Sequence, residues 1–114
     1  MAYEIHITRD GADIVLSEWV AAVGEAEHVR LAEGDYLVTL PETGQVFRFA
    51  NTGGDTEVHF AGVWRRVFRW HEGRVSFVGP KDFHIEDSHM RCVVRALAAA
   101  LRAQVVGDEG RTFD

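Results

Sequence analysis

The densest group of chemistry-bearing side chains is His84, Glu86, Asp87, His89 and Cys92, five residues within nine. Imidazole, carboxylate and thiolate are the ordinary ligands of zinc. His89 and Cys92 stand three apart, so on a helix their side chains meet. His84 and Glu86 precede that helix, however, and no second Cys or His completes a zinc spacing. The expectation is no metal and no cofactor: a helix start rich in capping acids, followed by a small, semi-buried Cys. Cys92 also lies beside Arg91 and Arg95, which favour a thiolate. A catalytic thiol needs a positioned base as well, and nothing in the spacing brings His59, His71 or His89 to it. There is no Gly-x-Ser-x-Gly elbow, P-loop or Gly-x-Gly-x-x-Gly. We therefore expect no catalytic residues and no enzyme.

The second group is the aromatic and basic run Trp64-Arg65-Arg66-Val67-Phe68-Arg69-Trp70. Such a run can stack nucleic-acid bases. On a strand, though, Trp64, Phe68 and Trp70 share one parity and so belong to a core, with Arg65 and Arg69 on the other face. Arg66 shares the Trp face. A charge there needs a buried acid, the sheet rim or an anionic ligand, and Arg66 with His59 and His71 forms the candidate ligand set on an open sheet face.

The elements that must position these residues follow from periodicity. Tyr3 to Arg9 alternates Tyr3, Ile5 and Ile7 against Glu4, His6 and Thr8, which predicts a half-buried strand. Leu16, Trp19, Val20 and Val23 lie on one face of a helix, with Asp13 or Ser17 as its expected cap and Glu18 in its first turn. The stretch from Glu25 to Gly34 is polar, anchored by Val29 and Leu31. Asp35 to Leu40 and Val46 to Ala50 form a hairpin around Pro41-Glu42-Thr43-Gly44, with Tyr36, Val38, Leu40, Phe47 and Phe49 on the core side. Pattern leaves its register open between a tip at Glu42-Thr43 and one at Thr43-Gly44.

Thr56 to Ala61 predicts one more strand. A second hairpin turns at Glu72-Gly73, opposing Trp70 to Val75 and Arg69 to Ser76. Asp87 or Ser88 opens the strongest helix, with Met90, Val93, Val94, Leu97 and Leu101 as its buried stripe. Arg91, Arg95 and Arg102 fall within about 40° of one another on a separate, exposed stripe. A short C-terminal hairpin closes the chain around Gly107 to Gly110. Consecutive strands with short turns and segregated helices define the class: α+β, one domain over residues 1–114, a mainly antiparallel sheet of about five to six strands packed with two helices.

Charge narrows the partners. The net charge is −6. Residues 1–60 hold 3 Arg and 11 acids (net −8), and residues 61–114 hold 9 bases and 7 acids (net +2). A nucleic-acid interface needs the opposite balance. No apolar stretch is long enough to span a bilayer, and the first residues read as a strand instead of a leader, so a cytoplasmic location away from membranes is expected.

The strand Tyr3 to Arg9, the segment Ile14 to Trp19 and the ending Gly107-Asp108-Glu109-Gly110 resemble a family of small uncharacterised bacterial proteins. In that family a Tyr-Glu-Ile-x-Ile-x-Arg strand leads into an Ile-Ser-Leu-Glu-Glu-Trp helix start, and the chain closes on Ala-x-Val-x-Gly-Asp-Glu-Gly. Here Val15 stands at the family's capping Ser, Ser17 at its first Glu and Phe113 at a terminal Tyr. The resemblance implies a common fold and carries no catalytic residues. As a class, small acidic proteins of this kind are similar to the immunity proteins that accompany bacterial toxins.

Three functions follow as expectations. The first is a non-catalytic binding protein, an immunity-type inhibitor whose Glu25, Glu27, Glu33 and Asp35 meet a basic toxin. The second is a small-ligand or enzymatic domain using Arg66, His59 and His71. The third is a homodimeric module pairing through a sheet edge, the oligomeric state being open. The incomplete ligand set at His89 and Cys92 generates a direct test. Treatment with a chelator leaves the melting temperature unchanged, whereas a large drop reversed by zinc would make that pair a metal site.

Overall fold

A computed structural model describes residues 4–51, 53–79, 88–108, 110 and 112–113. The first strand, β1 (Glu4–Thr8), buries Ile5 and Ile7 as its alternation requires; Tyr3 lies outside the described residues. It is the centre of the principal sheet. Its neighbours are β8 (Arg74–Val78) and β9 (Gln104–Gly107), and β7 (Arg69–His71) and β10 (Thr112–Phe113) complete the order β10-β9-β1-β8-β7. Every pairing is antiparallel, with Ile5 opposite Phe77 and Gly107, and Ile7 opposite Val75 and Val105. The fold is α+β, as the element pattern predicts.

Two helices bring their apolar faces to this sheet's inner residues. Helix α1 (Leu16–Glu25) contributes Trp19, Ala22 and Val23, and α2 (His89–Leu101) contributes Val93, Val94, Leu97 and Leu101. The helical stripes are thus those of the 3.6-residue period, but two details differ from expectation. The cap of α1 is neither Asp13 nor Ser17. Val15 occupies the cap position, its side chain cannot accept a hydrogen bond, and Glu18 instead reaches back to accept from the Val15 amide at 3.2 Å. Ser88 does cap α2, accepting from the Arg91 amide, while Asp87 lies outside the described residues. Arg91 is buried, not on an exposed stripe: its guanidinium lies 5.3 Å from the Phe113 ring, under the C-terminal strand that periodicity alone does not place. Arg9 ties these parts together. It donates to the last-turn carbonyl of Leu101 at 2.8 Å and forms a forked pair with Glu18 at 3.0 and 2.7 Å.

A second, three-stranded sheet continues the core. Its order is β2 (Val29–Leu31), β5 (Thr56–Phe60), β6 (Val63–Arg66). The run expected as one strand from Trp64 to Trp70 is therefore broken. Val67 and Phe68 form a corner, with Val67 N donating to Thr56 O and Thr56 N to Phe68 O. The corner delivers Phe68 into the core, edge-on to both Trp19 and Phe77. Trp64 stays in the second sheet, half-buried beneath Arg30. Ala61 belongs to a turn: Ala61 and Gly62 both have positive φ, 52° and 80°, the geometry of a tight hairpin. The hairpin at Glu72-Gly73 has the same signature, 49° and 82°, and the predicted pairs Trp70 with Val75 and Arg69 with Ser76.

The third unit is a hairpin of β3 (Tyr36–Thr39) and β4 (Val46–Phe49) that pairs with no other strand among the described residues. Its register sets Tyr36 opposite Phe49 and Val38 opposite Phe47, resolving the tip at Glu42-Thr43. Its apolar face was expected in the core, and this is the clearest correction. Val38 is half-buried, and Tyr36 and Phe47 are each 42% exposed.

The packing generates one stability prediction. Leu97 is fully buried between the helices and the sheet. Leu97→Ala costs about 2–5 kcal/mol in urea unfolding. A loss below about 0.5 kcal/mol, the scale of surface changes, would mean that α2 does not pack as described.

Candidate functional site

Two places concentrate unusual side chains. The first is a cleft of about 490 Å³ on the outer face of the principal sheet, where it meets the root of the β3–β4 hairpin. Arg66 and His71 of the expected ligand set both line it, together with Arg69, Arg74 and Ser76. His59 does not. It lies in a cluster of rings with Trp64, His28 and His89, where His28 and His89 are 5.4 Å apart and His89 Nε2 is 3.0 Å from the His59 carbonyl.

Arg66 resolves as the partner of a buried acid. Its Nη1 donates to Asp55 Oδ2 at 3.2 Å, and its Nη2 donates to the carbonyls of Glu33 and Gly34. Asp55 is 3% exposed and has Arg69 Nε 3.8 Å from its other oxygen. Burial pushes the Asp55 carboxyl up from its ordinary value, against the opposing pull of Arg69 and Arg66. Arg69 also stands 5.4 Å from the Phe49 ring, and Arg66 6.0 Å from the Tyr36 ring, so both guanidiniums brace the hairpin.

Beside them runs a chain of side chains that parity alone directs to solvent. His6, on the outer face of β1, is 8% exposed. Its Nδ1 is 2.7 Å from Ser76 Oγ on the next strand, and its Nε2 is 2.9 Å from Asp108 Oδ1. Asp108 also accepts from the Glu4 amide at 3.1 Å. Serine, histidine and carboxylate in that order make up the nucleophile chain of acyl-transfer enzymes. Such chemistry also needs donors for an oxyanion. Ser76 is on an interior strand whose backbone pairs with β1 on one side and β7 on the other, which commits the strand's amides to the ladder. Glu4, His6 and Asp108 offer ligand atoms within 4.8 Å of one another. Both His6 nitrogens already have protein partners, so the group is bonded to itself. Of the other expected ligands, Cys92 is exposed on α2, and His84, Glu86 and Asp87 lie outside the described residues.

The second place is the hairpin itself. Leu37 and Val46 on one face are 60% and 56% exposed, and Phe47, Phe49, Tyr36 and Leu40 on the other are also exposed. Of the four acids expected at a partner interface, Glu25, Glu27 and Glu33 are exposed. Asp35 differs: it is half-buried, accepts from the Asn51 amide at 2.9 Å and pairs with Arg48. It is a tether for the hairpin, and those two interactions hold its carboxyl below the ordinary range.

The residues that sequence reasoning passed over are His6, Ser76, Arg74 and Asp108. Arg74 and Ser76 were legible as same-face neighbours on the second hairpin. The Asp108 contact joins positions 102 apart, beyond any local pattern.

No protein-family model, curated protein or solved structure matches the chain.

The lowered carboxylates make a pH prediction. Asp108 is held down by the His6 hydrogen bond and then by the Glu4 amide. A depressed folded-state value gives stability that is present above the ordinary value of 3.8 and lost as pH falls through the folded value. Asp108→Asn therefore destabilises at pH 6 and converges with wild type near pH 2 in urea titrations. A penalty equal at both pH values would show that the carboxylate charge is not what the contact uses.

Proposed function

We propose that this protein is a non-catalytic binding module whose β3–β4 hairpin makes the contact with a basic protein partner. The observation that carries the reading is the hairpin's six exposed large apolar side chains: Tyr36, Leu37, Leu40, Val46, Phe47 and Phe49. Isolated two-stranded hairpins are marginally stable in water, and contiguous apolar patches with polar rims mark interaction sites. The acids support a basic partner. Residues 25–50 contain Glu25, Glu27, Glu33, Asp35 and Glu42 against Arg30 and Arg48, five negative charges against two positive. Asp35 and Arg48 neutralise each other at the hairpin root, and exposed Glu25, Glu27 and Glu33 remain to speed encounter. Immunity-type inhibition of a basic toxin is the use of such a surface that the class resemblance implies. The committed amides around Ser76 support the non-catalytic part of the reading.

Purification from the native host at low salt, repeated with Leu37→Ser/Phe47→Ser and with Glu25→Gln/Glu27→Gln/Glu33→Gln, tests this. A single basic protein is retained by wild type. The hairpin variant weakens it by 2 kcal/mol or more, about 30-fold, as loss of a central apolar anchor does. The Gln variant slows association and flattens its salt dependence. A partner indifferent to both variants would defeat the proposal. A concentration-dependent dimer in sedimentation, abolished by the hairpin variant, would replace it with the homodimeric module.

A further inference from the structure

The cleft behind the hairpin is a separate site with its own chemistry. At about 490 Å³ it falls within the range of small-molecule pockets. Its walls divide by character. The Tyr36 side chain and the exposed Val78 give an apolar side. Arg66, Arg69 and Arg74 give a cationic side against two lining acids, Asp55 and Glu4. Asp55 is already engaged by Arg66 and Arg69. The Arg74 side chain has no ion pair or hydrogen bond among the described residues, so its five donors are available in a protein whose net charge is −6.

Ser76 lines the cleft but is committed to His6. Asp108 fixes His6 Nε2 as a donor, because an unprotonated nitrogen at 2.9 Å from a carboxylate would set two lone pairs against each other. When His6 is neutral, its Nδ1 accepts, and the Ser76 hydroxyl must spend its only hydrogen on the ring. The charged groups around His6 are Asp108 after β9, Glu4 on its own strand and Arg74 on β8, which acts on Asp108; His71 also lines the cleft and pairs with Glu72 at 3.5 Å.

We propose that this cleft binds a small organic anion with an apolar body, its head group held by Arg74 and Arg69 and its body set against Tyr36 and Val78. Carboxylate is the simplest head group that matches a guanidinium fork.

Benzoate is the probe, since its charge is constant between pH 6 and 8. In amide-resolved NMR titrations it shifts the resonances of Arg74, Ser76 and Tyr36, and neutral benzamide does not. Arg74→Gln weakens binding about 10-fold or more, as loss of a charge-assisted hydrogen bond does. Arg65→Gln removes the same charge from an exposed position on β6 and leaves the affinity within about twofold. Ser76→Ala, whose hydroxyl is committed to His6 Nδ1, leaves the affinity within about twofold. Unchanged amide dispersion in each variant shows that the fold persists. Absence of shifts at the cleft, or equal losses from Arg65→Gln and Arg74→Gln, would overturn the site. Neither result touches the hairpin's reading: the two surfaces share Tyr36, but that reading is tested at Leu37 and Phe47, which do not line the cleft.

Discussion

The buried carboxylate of Asp55 and the guanidinium of Arg66 hold the three sheets in one arrangement. Asp55 sits on the segment that leads into β5, and its carbonyl accepts from Ala32 N just beyond β2. Arg66, at the end of β6, reaches past Asp55 to the carbonyls of Glu33 and Gly34 at the foot of the hairpin. A buried ion pair contributes little net stability compared with a well-packed apolar substitute, because desolvation offsets attraction. Removing one partner is another matter and costs about 3–5 kcal/mol, since the other charge remains buried. The pair therefore acts as a specifier of geometry. Gly54 beside it shows how closely the chain is drawn in: a side chain there would meet Trp70 Cβ at 2.5 Å, and its carbonyl accepts from Trp19 Nε1.

From that junction the molecule separates two kinds of surface. The principal sheet turns one face to the helices and leaves the other as a polar field of His6, Ser76, Arg74 and Asp108. The hairpin projects from the same junction with apolar residues on both faces. Arg69 belongs to each side, paired loosely with Asp55 and set against the Phe49 ring. The charge asymmetry along the sequence has a structural counterpart: arginines from the basic half wall the cleft, and exposed acids of the other half follow α1 and β2.

Local rules accounted for the elements whose own residues carry a clear period or turn signature. Strand β1, both helices and the hairpin at Glu72-Gly73 follow from period and turn chemistry. The hairpin at Ala61-Gly62 escaped because Ala is an unusual residue at positive φ and also continues the alternation of β5. Arg91 escaped because the strand covering it arrives from the end of the chain. For β3 and β4 the period correctly identified which side chains share a face. A period states that a face is apolar, and the residue pattern carries no information on whether anything covers it. His6 is the converse case, a polar side chain on the outer face enclosed by a cross-strand serine and an aspartate from the far terminus.

The hairpin's anchoring explains how an apolar two-stranded unit is held at all. Its fixed points lie at one end. Arg66 grips Glu33 and Gly34, Asn51 Nδ2 donates to Ala32 and Gly34, and Asp35 takes both the Asn51 amide and Arg48. Toward the tip, the loop closes on itself through Gly44 N to Leu40 O and Leu40 N to Gln45 O. A hairpin alone lacks the buried area that offsets the entropy of ordering its chain. Here the polar bonds at the root set the direction of the strands, and among the described residues the apolar side chains between root and tip are only partly covered, Leu37 and Val46 least of all. Hydrophobic area that the fold does not bury is the part of its driving force left for association.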